Sequence, residues 1–349
     1  MFGKTAILLV NLGTPDAPTR GAVYRYLKEF LLDKRVLDVN FILRNILVRG
    51  IIAPFRSGKS AALYQKLWTE EGSPLKVYGY KLTEMVQQRL GEDYIVELAM
   101  RYQNPSIESV LDKLMKAQVS KIIVLPLFPQ YASATTGSVH EEVMRCLSAY
   151  QIVPEVNFIN SYHDNPNLIA AFAEKAKSYS VETYDHFLFS FHGLPQRQLR
   201  KADTCGHCLK QEGCCETISI RNQHCYSAQC YATAQAIAQK LNIPKEKYTI
   251  CFQSRLGRDP WIQPYTSEVL RERRKLGDKN MLVFCPAFVC DCLETTIEIG
   301  EEYHEEWEEL GGERLDLVEG LNDNPLWADT VCELVKNELF AENFKLLNR

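Results

Sequence analysis

A chain of 349 residues exceeds what one hydrophobic core organises and suits two α/β domains of about 150 residues each. With 46% hydrophobic, 24% charged and 10% aromatic residues it is ordinary globular material, which excludes disordered, collagen-like and coiled-coil classes. Forty basic against 44 acidic residues leave a net charge of −4, so the cationic excess that a nucleic-acid partner demands is missing and no such partner is expected.

The first element is Thr5–Val10, an apolar run that enters Asn11-Leu-Gly-Thr-Pro15 without a small-residue cleavage site and so reads as a buried strand rather than a signal peptide. Further short β-branched runs follow at Tyr94–Ala99, Lys121–Leu127, Val156–Ile159, His186–Phe191, Tyr248–Phe252, Met281–Phe284 and Arg314–Leu317. Between them lie the amphipathic segments Pro105–Ala117, Ser138–Tyr150, Asn165–Tyr179, Ala228–Leu241 and Tyr265–Leu276. This alternation predicts βαβ units, parallel sheets and two Rossmann-like domains with a cleft between them, since open α/β sheets place ligands at strand carboxyl ends. The longest apolar runs, such as Ile122 to Phe128, fall short of the roughly 18 residues of a membrane helix. A cytoplasmic chain is expected.

From Asn40 to Thr69 five basic residues (Arg44, Arg49, Arg56, Lys59, Lys66) and no acid interleave with Phe41, Ile42, Leu43, Ile46, Leu47, Ile51, Ile52 and Phe55. An apolar surface with cationic rims suits a flat hydrophobic acid or an anionic membrane face, and equally an ordinary amphipathic helix packed on its own domain. Ala53-Pro-Phe-Arg-Ser-Gly58-Lys59-Ser60 loosely fits a phosphate loop, but Pro54 offers no N–H and Phe55 and Arg56 are bulky where a cradle needs glycine.

His192 follows a strand on the turn Gly193-Leu-Pro195, the ligand-facing end of a parallel sheet, where a histidine is as often functional as structural. Twelve cysteines in a reducing compartment call for metal ligation or burial, and six lie between Cys205 and Cys230. Cys205, Cys208, Cys214 and Cys215 stand in a polar, glycine-containing segment whose C-x2-C spacing lets two thiolates grip one ion, so a zinc ion or an iron–sulfur cluster is expected. Adjacent Cys214 and Cys215 converge only through an irregular turn at Gly213, and Cys225, His207 or His224 are the substitutes if one points away. After the strand Met281–Phe284, Glu294, Glu298 and Glu302 are spaced by four and form one carboxylate row on a helix, suited to conducting a divalent cation or protons, or else a solvated acidic face. Ile297 and Ile299 beside them favour function for Glu294 and Glu298.

Together these stretches resemble the ferrochelatases over nearly the whole chain. The matching pieces are Val10-Asn-Leu-Gly-Thr-Pro15, Tyr64 through Gly72-Ser-Pro-Leu75, Arg101-Tyr102, Pro129-Gln-Tyr-Ala-Ser-Ala-Thr-Thr-Gly137, Ser190-Phe-His-Gly-Leu-Pro195, Phe252-Gln-Ser-Arg-Leu-Gly257 to Trp261, Cys292-Leu-Glu-Thr295 and Leu321-Asn-Asp-Asn-Pro-Leu326. The resemblance implies Fe²⁺ insertion into protoporphyrin IX with release of two protons, His192 on one side of the macrocycle and Glu294, backed by Glu298 and Glu302, on the other. His192 and Glu294 are then the groups that touch the substrate iron. Arg56, Tyr64 and Ser73 match family positions near the propionates, and Tyr131 one near the macrocycle. The four-cysteine segment is similar to one that carries a [2Fe–2S] cluster in some bacterial members, a structural or regulatory group outside the insertion chemistry. The implied domains are 1–154 plus 326–349, with a porphyrin lip at about 40–75, and 155–325, with the cysteine insertion at about 203–220. Peripheral contact with the inner face of the membrane fits the lip. The family carries His or Cys two residues before its catalytic glutamate, and Cys292 stands there, so histidine assistance is not assumed. Coproporphyrin or cobalt chelation, a non-catalytic tetrapyrrole or metal carrier, and a phosphate-loop NTPase are the competing functions.

Overall fold

The computed structural model describes residues 3–257 and 259–347; the outermost residues of the expected first domain, 1–2 and 348–349, lie outside them. All eight expected strands form: β1 (Thr5–Gly13), β2 (Tyr94–Tyr102), β3 (Lys121–Pro126), β4 (Glu155–Phe158), β5 (His186–His192), β6 (Tyr248–Gln253), β7 (Asn280–Phe284) and β8 (Arg314–Leu317). They build two four-stranded sheets ordered β2-β1-β3-β4 and β6-β5-β7-β8, with every pairing parallel. Parallel strands covered on both faces are apolar throughout, and Ala6 through Val10 and Ile122 through Leu125 are fully buried.

The chain divides into two compact units, one of residues 1–127, 133–160 and 322–349, the other of residues 128–132 and 161–321. The boundary falls after Asn160 rather than after 154 because β4 pairs with β3 from Lys121↔Glu155 to Val124↔Phe158 and so belongs to the first sheet. In the second unit Leu188, Met281, Val283, Ile299, Trp307 and Leu315 form one buried cluster.

One local feature agrees with the reading against a phosphate loop, and two depart from expectation. Ala53–Leu67 is a helix with Pro54 in its first turn, so Gly58-Lys59-Ser60 sits in a helix interior and forms no phosphate-binding loop. Arg44, expected on the cationic rim, is buried, its Nη1 donating to the carbonyls of Leu37 and Val39. Ile52 packs inward with Leu31, Val48 and Ala53 instead of joining exposed Ile51. The rest of the lip is outward: Phe41 and Ile42 are each 70% exposed and Phe55 79%, with Leu43, Ile46 and Ile51 also exposed. A helix packed on its own domain would bury these side chains, so this apolar surface is free for a ligand or an apolar phase. No described helix is long and apolar enough to cross a membrane.

Candidate active site

In the second sheet β5 is flanked by β6 and β7, so the strand order reverses beside it and the crevice for a ligand opens at its carboxyl end. His192 is the last residue of β5, Gln253 the last of β6, and the segment after β7 carries the carboxylates. Neighbouring strands thus deliver residues that are far apart in sequence.

His192 is half-buried. Its Nδ1 lies 2.6 Å from the Gly193 carbonyl, which can only accept, so Nδ1 carries a proton and donates it there. The Tyr226 hydroxyl donates to the His192 carbonyl at 2.9 Å, and the Trp261 ring lies 6.3 Å away, centroid to centroid. Gly193 is required there by close approach: a Cβ would meet the Gln253 carbonyl at 2.9 Å and the Trp261 ring at 3.1 Å.

The carboxylate row lies on Leu293–Tyr303, which is a π-helix rather than the α-helix its spacing predicts. A four-residue step falls slightly short of one π turn where it slightly exceeds one α turn, so the row survives the change. Ile297 and Ile299 are buried and anchor its inner face. The three carboxylates differ sharply in setting. Glu298 is half-buried and accepts the Ser254 N–H at 2.8 Å, the Ser254 hydroxyl at 2.5 Å and the Gln253 amide at 3.2 Å. Burial raises its pKa, opposed by the Ser254 bonds, the nearby His192 charge and the Gln253 bond, and reinforced by Glu294. Glu294 is half-buried, with its carbonyl accepting the same Gln253 amide at 2.6 Å, and Glu302 is exposed. Gln253 is oriented from behind: Ser190 donates to its Oε1 at 2.8 Å and meets the Thr266 hydroxyl at 2.9 Å. Cys292 is buried beside Glu294, and burial followed by the Glu294 charge holds its thiol well above the ordinary range, so it stays protonated and cannot replace a histidine base.

Tyr131 is half-buried, and its N–H donates to Gln229 at 2.7 Å on Tyr226–Lys240, the helix whose Tyr226 holds His192. In the first unit Arg56 is exposed next to Phe55, Tyr64 is buried edge-on to Tyr26 at 6.2 Å, and the Ser73 hydroxyl donates to Thr14 at 3.0 Å while itself buried. Gln253 and Ser254 carry the site's geometry yet received no role from the sequence, although the Phe252–Gly257 stretch flagged them. Among the described residues, three metal-donor atoms lie within 4.8 Å of one another only at Glu108, Glu142 and Cys146, where Arg145 already bonds both carboxylates.

In the cysteine segment Cys205 is exposed, while Cys208, Cys214, Cys215 and Cys225 are half-buried; the other seven cysteines are buried. Cys214 and Cys215 sulfurs do converge, at 3.6 Å, after Gly213 at φ 69°. Asp203 accepts the N–H groups of Cys205 at 3.1 Å and Cys208 at 2.8 Å. Burial, then the sulfurs of Cys225 and Cys214, push the Cys208 thiol up to about 11.

Fold and site together define a chelatase-type α/β enzyme. The fold is similar to that of SirB from Bacillus subtilis with Fe3+, at TM-score 0.52 and 15% identity over 95% of this chain and 94% of that one. The profile of the ferrochelatase family matches residues 4–339. Over 337 residues the chain is 45% identical to the ferrochelatase of Coxiella burnetii (strain Dugway 5J108-111), covering 96% of this chain and 94% of the relative. The ferrochelatase of Legionella pneumophila (strain Corby) is 44% identical over 96% of this chain and all of its own length. The chain belongs to the ferrochelatase family.

Proposed function

We propose that this enzyme inserts Fe²⁺ into protoporphyrin IX, the last step of haem biosynthesis, with His192 as the base for the pyrrole protons and the Glu294–Glu298–Glu302 row on the opposite side. The observation that carries the assignment is Glu298, held by three donors at the end of β6 with His192 and Glu294 in electrostatic reach. A carrier needs no carboxylate whose proton affinity is raised beside a histidine; an insertion reaction that releases two protons does. Two N–H bonds break, Fe²⁺ takes both nitrogens, and the protons leave through His192 and the row, whose exposed end is Glu302.

Arg56 is assigned to a substrate carboxylate, since a guanidinium grips one through two parallel hydrogen bonds. Tyr64 and Ser73 line the same segment from buried positions, and Tyr131 faces the macrocycle. The exposed apolar face from Phe41 to Phe55 is assigned to peripheral contact with the inner face of the membrane, with the enzyme otherwise cytoplasmic.

The sulfur-rich segment offers thiols for a [2Fe–2S] cluster: Cys205, Cys208, Cys214, Cys215 and Cys225 reach solvent, and the Cys214 and Cys215 sulfurs lie 3.6 Å apart. When bound, the cluster supplies a structural clamp or a redox-sensitive one, apart from metal insertion.

The test is anaerobic mixing of the purified protein with Fe²⁺ and either protoporphyrin IX or coproporphyrin, following the loss of free-porphyrin fluorescence. Fast loss with protoporphyrin supports the assignment. Loss with coproporphyrin alone, or tight porphyrin binding without metal insertion, overturns it.

A further inference from the structure

We propose that Thr266 and Ser190 are positioning residues for the carboxylate row, acting in series through Gln253 on Glu294 and Glu298. The proposal deepens the functional reading above and rests on its assignment of that row to the reaction.

One carbonyl fixes the direction of every hydrogen in this network. The Glu294 backbone oxygen can only accept, so the Gln253 side-chain nitrogen, 2.6 Å away, is the end of the amide that faces it, and the same nitrogen reaches Glu298 at 3.2 Å. The amide oxygen is then left for the Ser190 hydroxyl, which donates to it at 2.8 Å, and for the Cys285 thiol at 3.8 Å. Ser190 has a single hydroxyl hydrogen, already directed at Gln253. The 2.9 Å contact between the Ser190 and Thr266 hydroxyls therefore uses the Thr266 hydrogen. A flipped amide would set its oxygen against a carbonyl and a carboxylate, so only the order Thr266 to Ser190 to Gln253 to the row satisfies every group.

The fold brings these residues together from three elements. Ser190 lies on β5 just before Phe191 and His192, Gln253 ends β6, and Thr266 opens the helix Thr266–Lys275. The Phe252 N–H donates to the Pro264 carbonyl at 2.9 Å and Phe252 bridges to Tyr265, which fixes the start of that helix against β6. The Thr266 oxygen also meets the buried Cys251 sulfur at 3.3 Å. Ser190, Gln253 and Thr266 are each no more than 1% exposed, so bulk water does not substitute for a lost partner. One amide nitrogen thus holds the backbone of Glu294 and the side chain of Glu298 together, and so sets the spacing of two members of the row. An amide released by Ser190 loses the anchor that keeps it in that orientation, and networks of this kind weaken as a unit.

The experiment measures kcat and the porphyrin KM at saturating Fe²⁺ in full-length wild type, Ser190→Ala, Thr266→Val, Thr266→Ser and the double variant Ser190→Ala/Thr266→Val, with circular dichroism to check that each is folded. The porphyrin is whichever of protoporphyrin IX and coproporphyrin the wild type metallates. Expected are a fall in kcat of roughly 10-fold for Ser190→Ala and about 3-fold for Thr266→Val, the range of one net hydrogen bond, with the porphyrin KM unchanged. Thr266→Ser keeps the hydroxyl and should stay within about twofold of wild type. Because Thr266 acts through Ser190, the double variant should be no slower than Ser190→Ala, whereas independent roles would multiply the two losses. A wild-type kcat in Ser190→Ala, equal losses in Thr266→Val and Thr266→Ser, or multiplied losses in the double variant each overturn the proposal. Should Ser190→Ala not fold, the two Thr266 variants decide alone: a loss confined to valine upholds the proposal and equal rates end it. A wild type that metallates neither porphyrin overturns the functional reading itself, a distinct result.

Discussion

Ser254 takes a left-handed backbone conformation, φ 64°, and in that turn its N–H and hydroxyl each reach one oxygen of the Glu298 carboxylate, at 2.8 and 2.5 Å. A serine in this region is uncommon, and the strain is offset by two bonds to a charged group. Ser254→Gly keeps the backbone turn and the N–H bond while deleting the hydroxyl. A hydrogen bond to a charge contributes about 1.5–3 kcal/mol, so kcat should fall roughly 10- to 100-fold with the porphyrin KM little changed. Steady-state kinetics at saturating Fe²⁺ check this, and an unchanged kcat would remove Ser254 from the positioning of Glu298.

His192→Ala and Glu294→Gln should each lower turnover by about 10²-fold or more, the usual contribution of a positioned acid or base. Porphyrin binding, followed by fluorescence quenching, should persist in both. Near-native turnover in either variant would contradict the assignment. Cys292→Ala should cost far less, because that buried thiol is held well above its ordinary range and serves as the N-cap of the segment rather than as a base.

Burial raises the Glu298 pKa above its ordinary 4.5, so between that value and the raised one the folded chain binds more protons than the unfolded chain. Stability contributed at this position is therefore lost as pH rises through the window. Thermal melts of wild type and Glu298→Gln across that range should show the wild type falling relative to the variant as pH increases. Parallel curves would mean that the Ser254 and Gln253 bonds cancel the burial cost.

Arg56→Ala should raise the porphyrin KM more than it lowers kcat, and Arg56→Lys should recover little, since a single ammonium lacks the paired geometry. A fall in kcat alone would place Arg56 elsewhere in the reaction.

Flotation with anionic liposomes should carry the wild type upward, with Phe55→Asp and Ile51→Asp left behind, because both side chains are exposed. Ile52→Asp should instead destabilise the fold, since Ile52 packs against Leu31 and Val48. Equal flotation of all variants would assign the apolar surface to something other than lipid.

The strands were legible because strands buried on both faces are written as short apolar β-branched runs, and Thr5–Val10 has no other use. Helices Arg20–Leu32 and Pro74–Leu90 were missed, as their apolar residues are diluted by polar ones that touch other parts of the unit. A spacing of four identifies the carboxylate row but leaves α and π windings alike. Arg44 and Ile52 share a charge and apolar pattern with their exposed neighbours, and only the packing of Leu31 and the carbonyls at Leu37 and Val39 decides that they turn inward. Nothing in the letter Ser254 announces a positive φ.

The burial of seven cysteines leaves the chain with one chemically soft spot. Cys251 is pushed up to about 12 by burial, and Cys285 and Cys230 well above the ordinary thiol range, so these neither ionise nor meet a reagent. Alkylating agents and peroxides will therefore spend themselves between Cys205 and Cys225. Because Tyr226, next to Cys225, is also the residue that grips the His192 carbonyl, damage absorbed there lies a single peptide bond and a single hydrogen bond from the end of β5.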